Sequence, residues 1–222
     1  MNKPIMLITG SSRGIGLACA EYFSDKYTII GVARSPGQYV TEKGSITDVL
    51  FRKYLINKYK PDVFINNAGV GGNVPYHEII QTNAEAAADL MLGFSDKMNT
   101  GHIINISSWL ATISLNVNHP QGGYGELTYQ VAKKLLSNMS KELVSRKNGY
   151  VKITSIEPQN VDTDMVRQHL KFRPNIKPMS PAYIAETIDW IINQPHWVNI
   201  DSICLSNFKN IGAPEETRTP TH

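Results

Sequence analysis

The sequence predicts an α/β fold, in which a doubly wound parallel sheet of about seven strands carries helices on both faces of a single domain. Short apolar runs, the usual form of strands buried on both faces, alternate with longer amphipathic stretches. A glycine-rich turn also joins the first of these runs directly to a helix. Because crossovers between parallel strands are almost always right-handed, this alternation places the carboxyl ends of several strands along one edge.

The elements follow in order along the chain. Strands are predicted at residues 5–8, 27–32, 39–40, 63–65, 102–106, 151–156 and 200–205. Helices are predicted at residues 17–23, 48–58, 78–94, 125–146 and 181–193. Residues 109–128 contain proline and several glycines, which favours a long loop. We expect residues 1–211 to form the domain and residues 212–222 a polar tail.

Composition excludes several classes of protein. A chain of 222 residues with 41% hydrophobic residues suits one domain with a sizeable core. Its net charge of +3 is too small to favour nucleic acid or a membrane surface as a partner. Cys19 and Cys204 have no metal or redox spacing, so no metal site is expected. No apolar run approaches the length of a membrane helix, and residues 1–8 are too short for a signal-peptide core, so we expect a cytoplasmic protein.

The turn after the first strand has the composition of a phosphate-binding loop. Residues 9–16 read Thr-Gly-Ser-Ser-Arg-Gly-Ile-Gly, with glycines at 10, 14 and 16. Glycine permits a tight turn and a close approach of ligand, and the N–H groups at the following helix start can face a phosphate. A purely structural turn is the alternative.

The chain after the second strand reads Ala33-Arg34-Ser35, without the acid that often binds a ribose 2′-hydroxyl. Arg13 and Arg34 suit a 2′-phosphate instead, unless both are simply solvated.

Tyr129 and Lys133 lie four residues apart in a predicted helix, so they share one face. A nearby ammonium favours the phenolate, which predicts that the pKa of Tyr129 lies below its ordinary value. Such a phenol could exchange a proton with a carbonyl or alcohol. Taken alone, the pair is more typical of a surface contact than of a catalytic site. Asn83 interrupts the apolar stripe of the helix at 78–94, which predicts a buried partner for it.

Together these motifs resemble the short-chain dehydrogenase/reductase family over nearly the whole chain. The matching segments are the glycine turn, Asn66-Asn67-Ala68-Gly69, Asn83, the serine that ends the fifth strand, Tyr129 with Lys133, and Pro158 with Thr163. The resemblance implies a Rossmann fold, an NADP(H) cofactor, and hydride transfer to or from a small carbonyl or alcohol substrate. It also implies a homodimer or homotetramer, in which the helices at 78–94 and 125–146 often pair.

The resemblance also implies a role for each matching residue. Tyr129 would be the general acid, Lys133 would lower its pKa and hold the nicotinamide ribose, and Ser108 would bind the substrate oxygen, with Ser107 as the alternative. Asn83 would hold a water molecule linked to Lys133. Asp48 would bind adenine, although the start of a helix is a rival explanation. The expected cofactor-binding residues are Gly10, Ser12, Arg13, Gly14, Ile15, Gly16, Arg34, Asp48, Asn67, Ala68, Gly69, Tyr129, Lys133, Pro158 and Thr163.

Three features depart from the family pattern. Ser108 and Tyr129 are unusually far apart in the sequence, so residues 109–128 contain an insertion beside the substrate pocket. Gln159 replaces a glycine that normally lies next to the cofactor, and the lid segment at 165–180 is short. These departures keep a non-catalytic NADP(H)-binding sensor or scaffold open as an alternative. An epimerase or dehydratase is a further alternative, disfavoured because the chain leaves little room for a second domain.

Overall fold

A seven-stranded parallel sheet forms the centre of the computed structural model, which describes residues 3–71, 74–114, 124–146, 150–170 and 176–207. The strands are β1 Ile5–Thr9, β2 Thr28–Ala33, β3 Val40–Lys43, β4 Val63–Asn66, β5 Gly101–Ile106, β6 Val151–Pro158 and β7 Ser202–Leu205. Their spatial order is β3-β2-β1-β4-β5-β6-β7. The order reverses between β1 and β4, and this switch point is where open α/β sheets bind ligands.

Helices cover both faces of the sheet. They are α1 Gly14–Phe23, α2 Val49–Lys58, α3 Tyr76–Ile80, α4 Ala87–Lys97, α5 Tyr124–Arg146, α6 Asp164–Leu170 and α7 Pro181–Ile192. A π-helical turn, Gln81–Ala86, joins α3 to α4, and a 3₁₀ turn, Trp109–Ala111, follows β5.

Side chains from alternate positions of each strand build two separate cores. On β1, Met6 and Ile8 pack with α1 and α7, whereas Leu7 packs with α2, α4 and α5. All three side chains are fully buried. Burial on both faces is the reason that the strands read as continuous apolar runs in the sequence. The predicted doubly wound fold is confirmed.

Several element boundaries differ from the sequence-based expectation. Helix α5 begins at Tyr124, so the loop after the 3₁₀ turn is shorter than predicted. The single helix predicted at residues 78–94 is interrupted by the π-helical turn, and α6 was not anticipated. The predicted tail and the domain boundary at 211 lie outside the described residues.

Neither a membrane-spanning helix nor a metal-binding cluster occurs in the described ranges. No helix in them has both the length and the apolar character needed to cross a bilayer. Within the same ranges, no group of three or more His, Cys, Asp or Glu side chains is arranged to hold a metal ion.

Candidate active site

A cavity of about 1000 Å³ opens at the carboxyl edge of the sheet, around the switch point between β1 and β4. It extends from the glycine turn to Tyr129 and Lys133. Most of the predicted site residues line it, including Ser12, Ile15, Ala68 and Pro158. The predicted residues that do not line it are Gly16, Asp48 and Asn83.

The glycine turn has the backbone that its sequence predicts. Gly10 and Gly14 have φ angles of 73° and 57°, in the left-handed region that favours glycine. No side chain caps the start of α1, and Gly14 and Ile15 face the cavity. The open N–H groups of this helix start are suited to bind a phosphate. Gly16 has a packing role instead, because an added Cβ would lie 2.2 Å from the Gly10 carbonyl oxygen.

Thr9 joins the glycine turn to the end of β4. Its buried hydroxyl accepts hydrogen bonds from the main-chain N–H groups of Asn67 and Ala68, at 2.9 and 3.0 Å. The Asn67 side chain donates in return to the Thr9 carbonyl oxygen at 2.8 Å. Sequence reasoning included Thr9 in the motif without giving it a role. The available signal was a threonine, which carries a hydroxyl, at the last position of an otherwise apolar strand.

Arg13 and Arg34 lie on the same side of the cavity as the glycine turn. Both side chains are exposed and line the cavity. None of the ion pairs found among the described residues involves either arginine. Their guanidinium groups are therefore available to bind an anion at the mouth of the cavity.

Asp48 caps a helix in the structure, and its predicted contact with adenine stays a prediction. Its carboxylate accepts hydrogen bonds from the N–H groups of Leu50 and Phe51, at 2.8 and 3.3 Å, and so caps α2. The side chain is exposed and does not line the cavity, whereas the neighbouring Thr47 does. The helix-start explanation therefore accounts for Asp48, because an acid at this position satisfies free N–H groups of the first turn.

Tyr129, Lys133 and Ser108 meet at the other end of the cavity. The Lys133 ammonium lies 5.8 Å from the centre of the Tyr129 ring and donates a hydrogen bond to the Ile106 carbonyl oxygen at 2.8 Å. Ser108 and Tyr129 line this end of the cavity together, and Ser108 acts to lower the pKa of the Tyr129 phenol. The helix that carries Tyr129 and Lys133 thus lies against the loop after β5 beside the cavity.

The expected lowering of the Tyr129 pKa is not found in the chain without ligand. Burial raises the pKa of Tyr129 to about 12, and the hydrogen bond from Ser108 opposes this rise only in part. Burial also lowers the pKa of Lys133 to about 8. The expectation was wrong because it counted the attraction of the ammonium and omitted the loss of water around both groups. At neutral pH the phenol therefore keeps its proton.

The two serines after β5 have separate partners. The Ser107 hydroxyl donates to the Lys133 carbonyl oxygen at 2.9 Å and accepts from Ser137 at 2.8 Å. It is therefore committed to holding α5 against β5. Only Ser108 contacts the Tyr129 phenol among these two, which favours Ser108 over Ser107 as the residue that meets a substrate oxygen.

Asn83 lies in the π-helical turn, fully buried, and has the buried partner predicted for it. Its side-chain oxygen accepts from the Val70 N–H at 2.9 Å, and its amide donates to the Val70 carbonyl at 2.8 Å. An added Cβ on Gly69 would lie 3.0 Å from the Asn83 oxygen and 3.6 Å from the Lys133 ammonium nitrogen. Asn83 thus fixes the loop after β4 close to Lys133. Its role in holding a water molecule stays a prediction.

Further walls come from the loop after β4 and from the segment that follows β6. Met165, at the start of α6, reaches across to Gly71, where an added Cβ would lie 3.0 Å from the Met165 side chain. Thr163 packs on Gly14 in the same way, at 3.2 Å. The Gln159 side chain accepts a hydrogen bond from the Asn207 N–H at 2.8 Å, which ties it to the chain after β7.

Known proteins share both the sequence pattern and the fold. The short chain dehydrogenase family model matches residues 40–173. A 3-oxoacyl-(acyl-carrier-protein) reductase of Vibrio harveyi is 28% identical over 195 residues, which cover 73% of this chain and 75% of that protein.

Two solved structures show the same fold. A 3-alpha-hydroxysteroid dehydrogenase of Pseudomonas sp. complexed with NADH has a TM-score of 0.78 at 18% identity, covering 90% of this chain and 94% of the other. A serine dehydrogenase complexed with NADP+ has a TM-score of 0.77 at 19% identity, covering 98% and 100%. With more than half of its length matched by the family model, the chain belongs to the short-chain dehydrogenase family of oxidoreductases.

Proposed function

We propose that the protein transfers a hydride between NADP(H) and a small carbonyl or alcohol substrate, with Tyr129 as the general acid or base. The observation that carries this proposal is that Ser108, Tyr129 and Lys133 all line the same end of one cavity. A protonated phenol and a second hydroxyl then face the same space, as the reduction of a carbonyl requires.

The glycine turn and the cavity fit a dinucleotide. Uncapped N–H groups at the start of α1 would hold the pyrophosphate, and the loop after β4 would lie along the nucleotide. Lys133 would hold the nicotinamide ribose. When bound, the nicotinamide supplies the hydride, and the protein supplies the geometry and the proton.

The chain's own groups account for the movement of the proton. Because the pKa of Tyr129 is raised to about 12, the phenol carries the proton that a reduced carbonyl oxygen takes up. Ser108 donates a hydrogen bond to the same oxygen and stabilises the charge that develops there. The Lys133 ammonium, adjacent to the phenol, stabilises the phenolate left behind.

The assignment of Tyr129 is tested by measuring NADPH oxidation with a panel of small aldehydes and ketones. We expect Tyr129→Phe to lose at least about a hundredfold in kcat, as expected when a general acid is removed. The matched control is Tyr150→Phe, because the Tyr150 side chain is 69% exposed and does not line the cavity. Full activity of Tyr129→Phe would refute the assignment. Tight NADPH binding without turnover of any carbonyl would favour the non-catalytic alternative.

The preference for NADP(H) over NAD(H) rests on Arg13 and Arg34, which are free to bind a 2′-phosphate at the cavity mouth. We expect the double variant Arg13→Ala/Arg34→Ala to weaken NADPH binding at least tenfold more than NADH binding, measured by fluorescence titration. Lys53→Ala, which alters an exposed cation away from the cavity, is the control. Equal losses for the two cofactors would contradict the assignment.

The identity of the substrate, the homodimer or homotetramer, and the cytoplasmic location stay predictions. The insertion predicted beside the substrate pocket lies in part, at residues 115–123, outside the described residues. The carbonyl panel therefore spans aliphatic, aromatic and carboxylated compounds.

A further inference from the structure

The 3₁₀ turn after β5 controls the orientation of the Ser108 side chain. Ser108 occupies the N-cap position of the turn Trp109–Ala111, and its hydroxyl accepts a hydrogen bond from the Leu110 N–H at 3.2 Å. The same side chain lines the cavity together with the Tyr129 phenol. A displacement of the turn would therefore move the hydroxyl away from the phenol.

Two side chains of α5 hold this turn by its carbonyl groups. The Gln130 amide nitrogen lies 3.1 Å from the Leu110 carbonyl oxygen, 3.3 Å from that of Ile113 and 3.2 Å from that of Ser114. The Lys134 ammonium donates to the carbonyl oxygens of Ala111 and Ile113, at 2.8 and 2.5 Å. These four carbonyl oxygens are acceptors, and a turn of three residues offers them few N–H donors of its own.

Gln130 and Lys134 form a second stripe beside the catalytic one. Gln130 follows Tyr129 and Lys134 follows Lys133, so each pair is four residues apart on α5. Tyr129 and Lys133 line the cavity, whereas Gln130 and Lys134 do not. Gln130 is only 5% exposed, so its amide depends on these carbonyl partners.

We propose that Gln130 and Lys134 are positioning residues, which hold residues 109–114 against α5 and thereby keep the Ser108 hydroxyl on the Tyr129 phenol. This inference rests on the proposed function for its catalytic consequence. Helix α5 carries the Tyr129 phenol and also holds the turn that Ser108 caps. It therefore fixes the two hydroxyl groups relative to each other. Loss of the anchor leaves Ser108 free to turn away from the substrate oxygen.

The first test compares Gln130→Leu/Lys134→Met with the parent protein and with Lys141→Met. Lys141 is exposed two turns further along the same helix. Lys141→Met therefore makes the same chemical change as Lys134→Met at a position away from the 3₁₀ turn. We expect the double variant to lose about tenfold to a hundredfold in kcat for carbonyl reduction, somewhat less than removal of an oxyanion donor causes. The Kd for NADPH stays unchanged. Lys134→Arg, which keeps a cationic donor, should retain most of the activity that Lys134→Met loses.

A thermodynamic cycle separates positioning from general destabilisation. If the two residues act through Ser108, then adding Ser108→Ala to the double variant causes little further loss, because the interaction is already broken. The pH profile of alcohol oxidation gives a second readout. Since Ser108 lowers the pKa of Tyr129, both the double variant and Ser108→Ala shift the acidic limb, on which the phenol loses its proton and becomes the base, to higher pH. The inference would be overturned if the losses in kcat caused by the double variant and by Ser108→Ala multiply when they are combined. A parental kcat in the double variant would overturn it as well.

A spectroscopic measurement judges the inference without reference to turnover. In protein labelled with ¹³C at the phenol carbon of tyrosine, the Tyr129 resonance is assigned from its absence in Tyr129→Phe. Ser108→Ala should shift this resonance, and the double variant should reproduce the shift. An unmoved resonance in the double variant would overturn the positioning role, even if the parent transfers a hydride. Absence of hydride transfer in the parent would instead count against the proposed function alone.

Discussion

Replacing Lys133 by methionine should change the pH dependence of folding stability as well as activity. Lys133 is 4% exposed, and burial lowers its pKa from 10.5 to about 8. The ammonium is therefore held in the native state at a cost in free energy, and methionine fills a similar volume without a charge. The variant is expected to be inactive.

The magnitude follows from the two pKa values. Below pH 8 the lysine is charged in the folded and unfolded states alike, so the folded state bears the full cost of its burial. Between about pH 8 and 10.5 the folded state has released its proton while the unfolded state retains it, so stability rises with pH. The difference between 10.5 and about 8 corresponds to about 3 kcal/mol, an order-of-magnitude value at about 1.4 kcal/mol per pH unit.

Urea unfolding of the parent and of Lys133→Met at half-unit intervals from pH 7 to 10 measures this difference. The loss of the hydrogen bond to the Ile106 carbonyl affects the variant equally at every pH, so it cancels from the pH dependence. We expect the parent to gain roughly 2 to 3 kcal/mol relative to the variant over this range. Parallel curves would refute the argument that burial depresses the pKa of Lys133.

Three further predictions concern stability and binding. Asp48→Ala should lower the free energy of unfolding by about 1 kcal/mol and leave NADPH binding unchanged in a fluorescence titration. Tenfold weaker binding of NADPH would instead support the predicted contact with adenine. Gly14 has a φ of 57°, and a Cβ added there would lie 3.2 Å from the Thr163 side chain. Gly14→Ala should therefore lower the free energy of unfolding in urea by about 1–2 kcal/mol and weaken NADPH binding. Parental values for both quantities would contradict this. Burial lowers the pKa of His102 to about 3, so stability should fall as pH drops below 6.5, where the unfolded chain gains the proton first. In urea unfolding from pH 7 to 4, the free energy of unfolding of His102→Gln should fall less with decreasing pH than that of the parent. An equal dependence on pH in the two proteins would argue against this.

The sequence was a good guide wherever one residue type has one dominant physical use. Gly10 and Gly14 were assigned to a tight turn because other residues rarely adopt a positive φ, and both have one. Asn83 was expected to have a buried partner because an amide in an apolar stripe must be satisfied, and Val70 satisfies it. The π-helical turn around Asn83 was not expected, since no residue type marks one.

The sequence was a poor guide wherever opposing effects depend on distance and burial. The pKa of Tyr129 was predicted to fall because spacing along a helix shows that Lys133 is near, whereas desolvation of the phenol depends on how tightly the surrounding chain packs. Asp48 fits both a helix cap and an adenine contact in sequence, and only the position of the cavity separates the two.

The sequence by itself determined the order of strands and helices, the glycine turn, and the spacing of Tyr129 and Lys133, because these depend on local conformation and on periodicity. The tertiary structure decided which serine meets the phenol, which way burial moves each pKa, and how Gln130 and Lys134 hold the turn after β5. Such contacts join segments distant in the chain, and their energies depend on the water that folding removes.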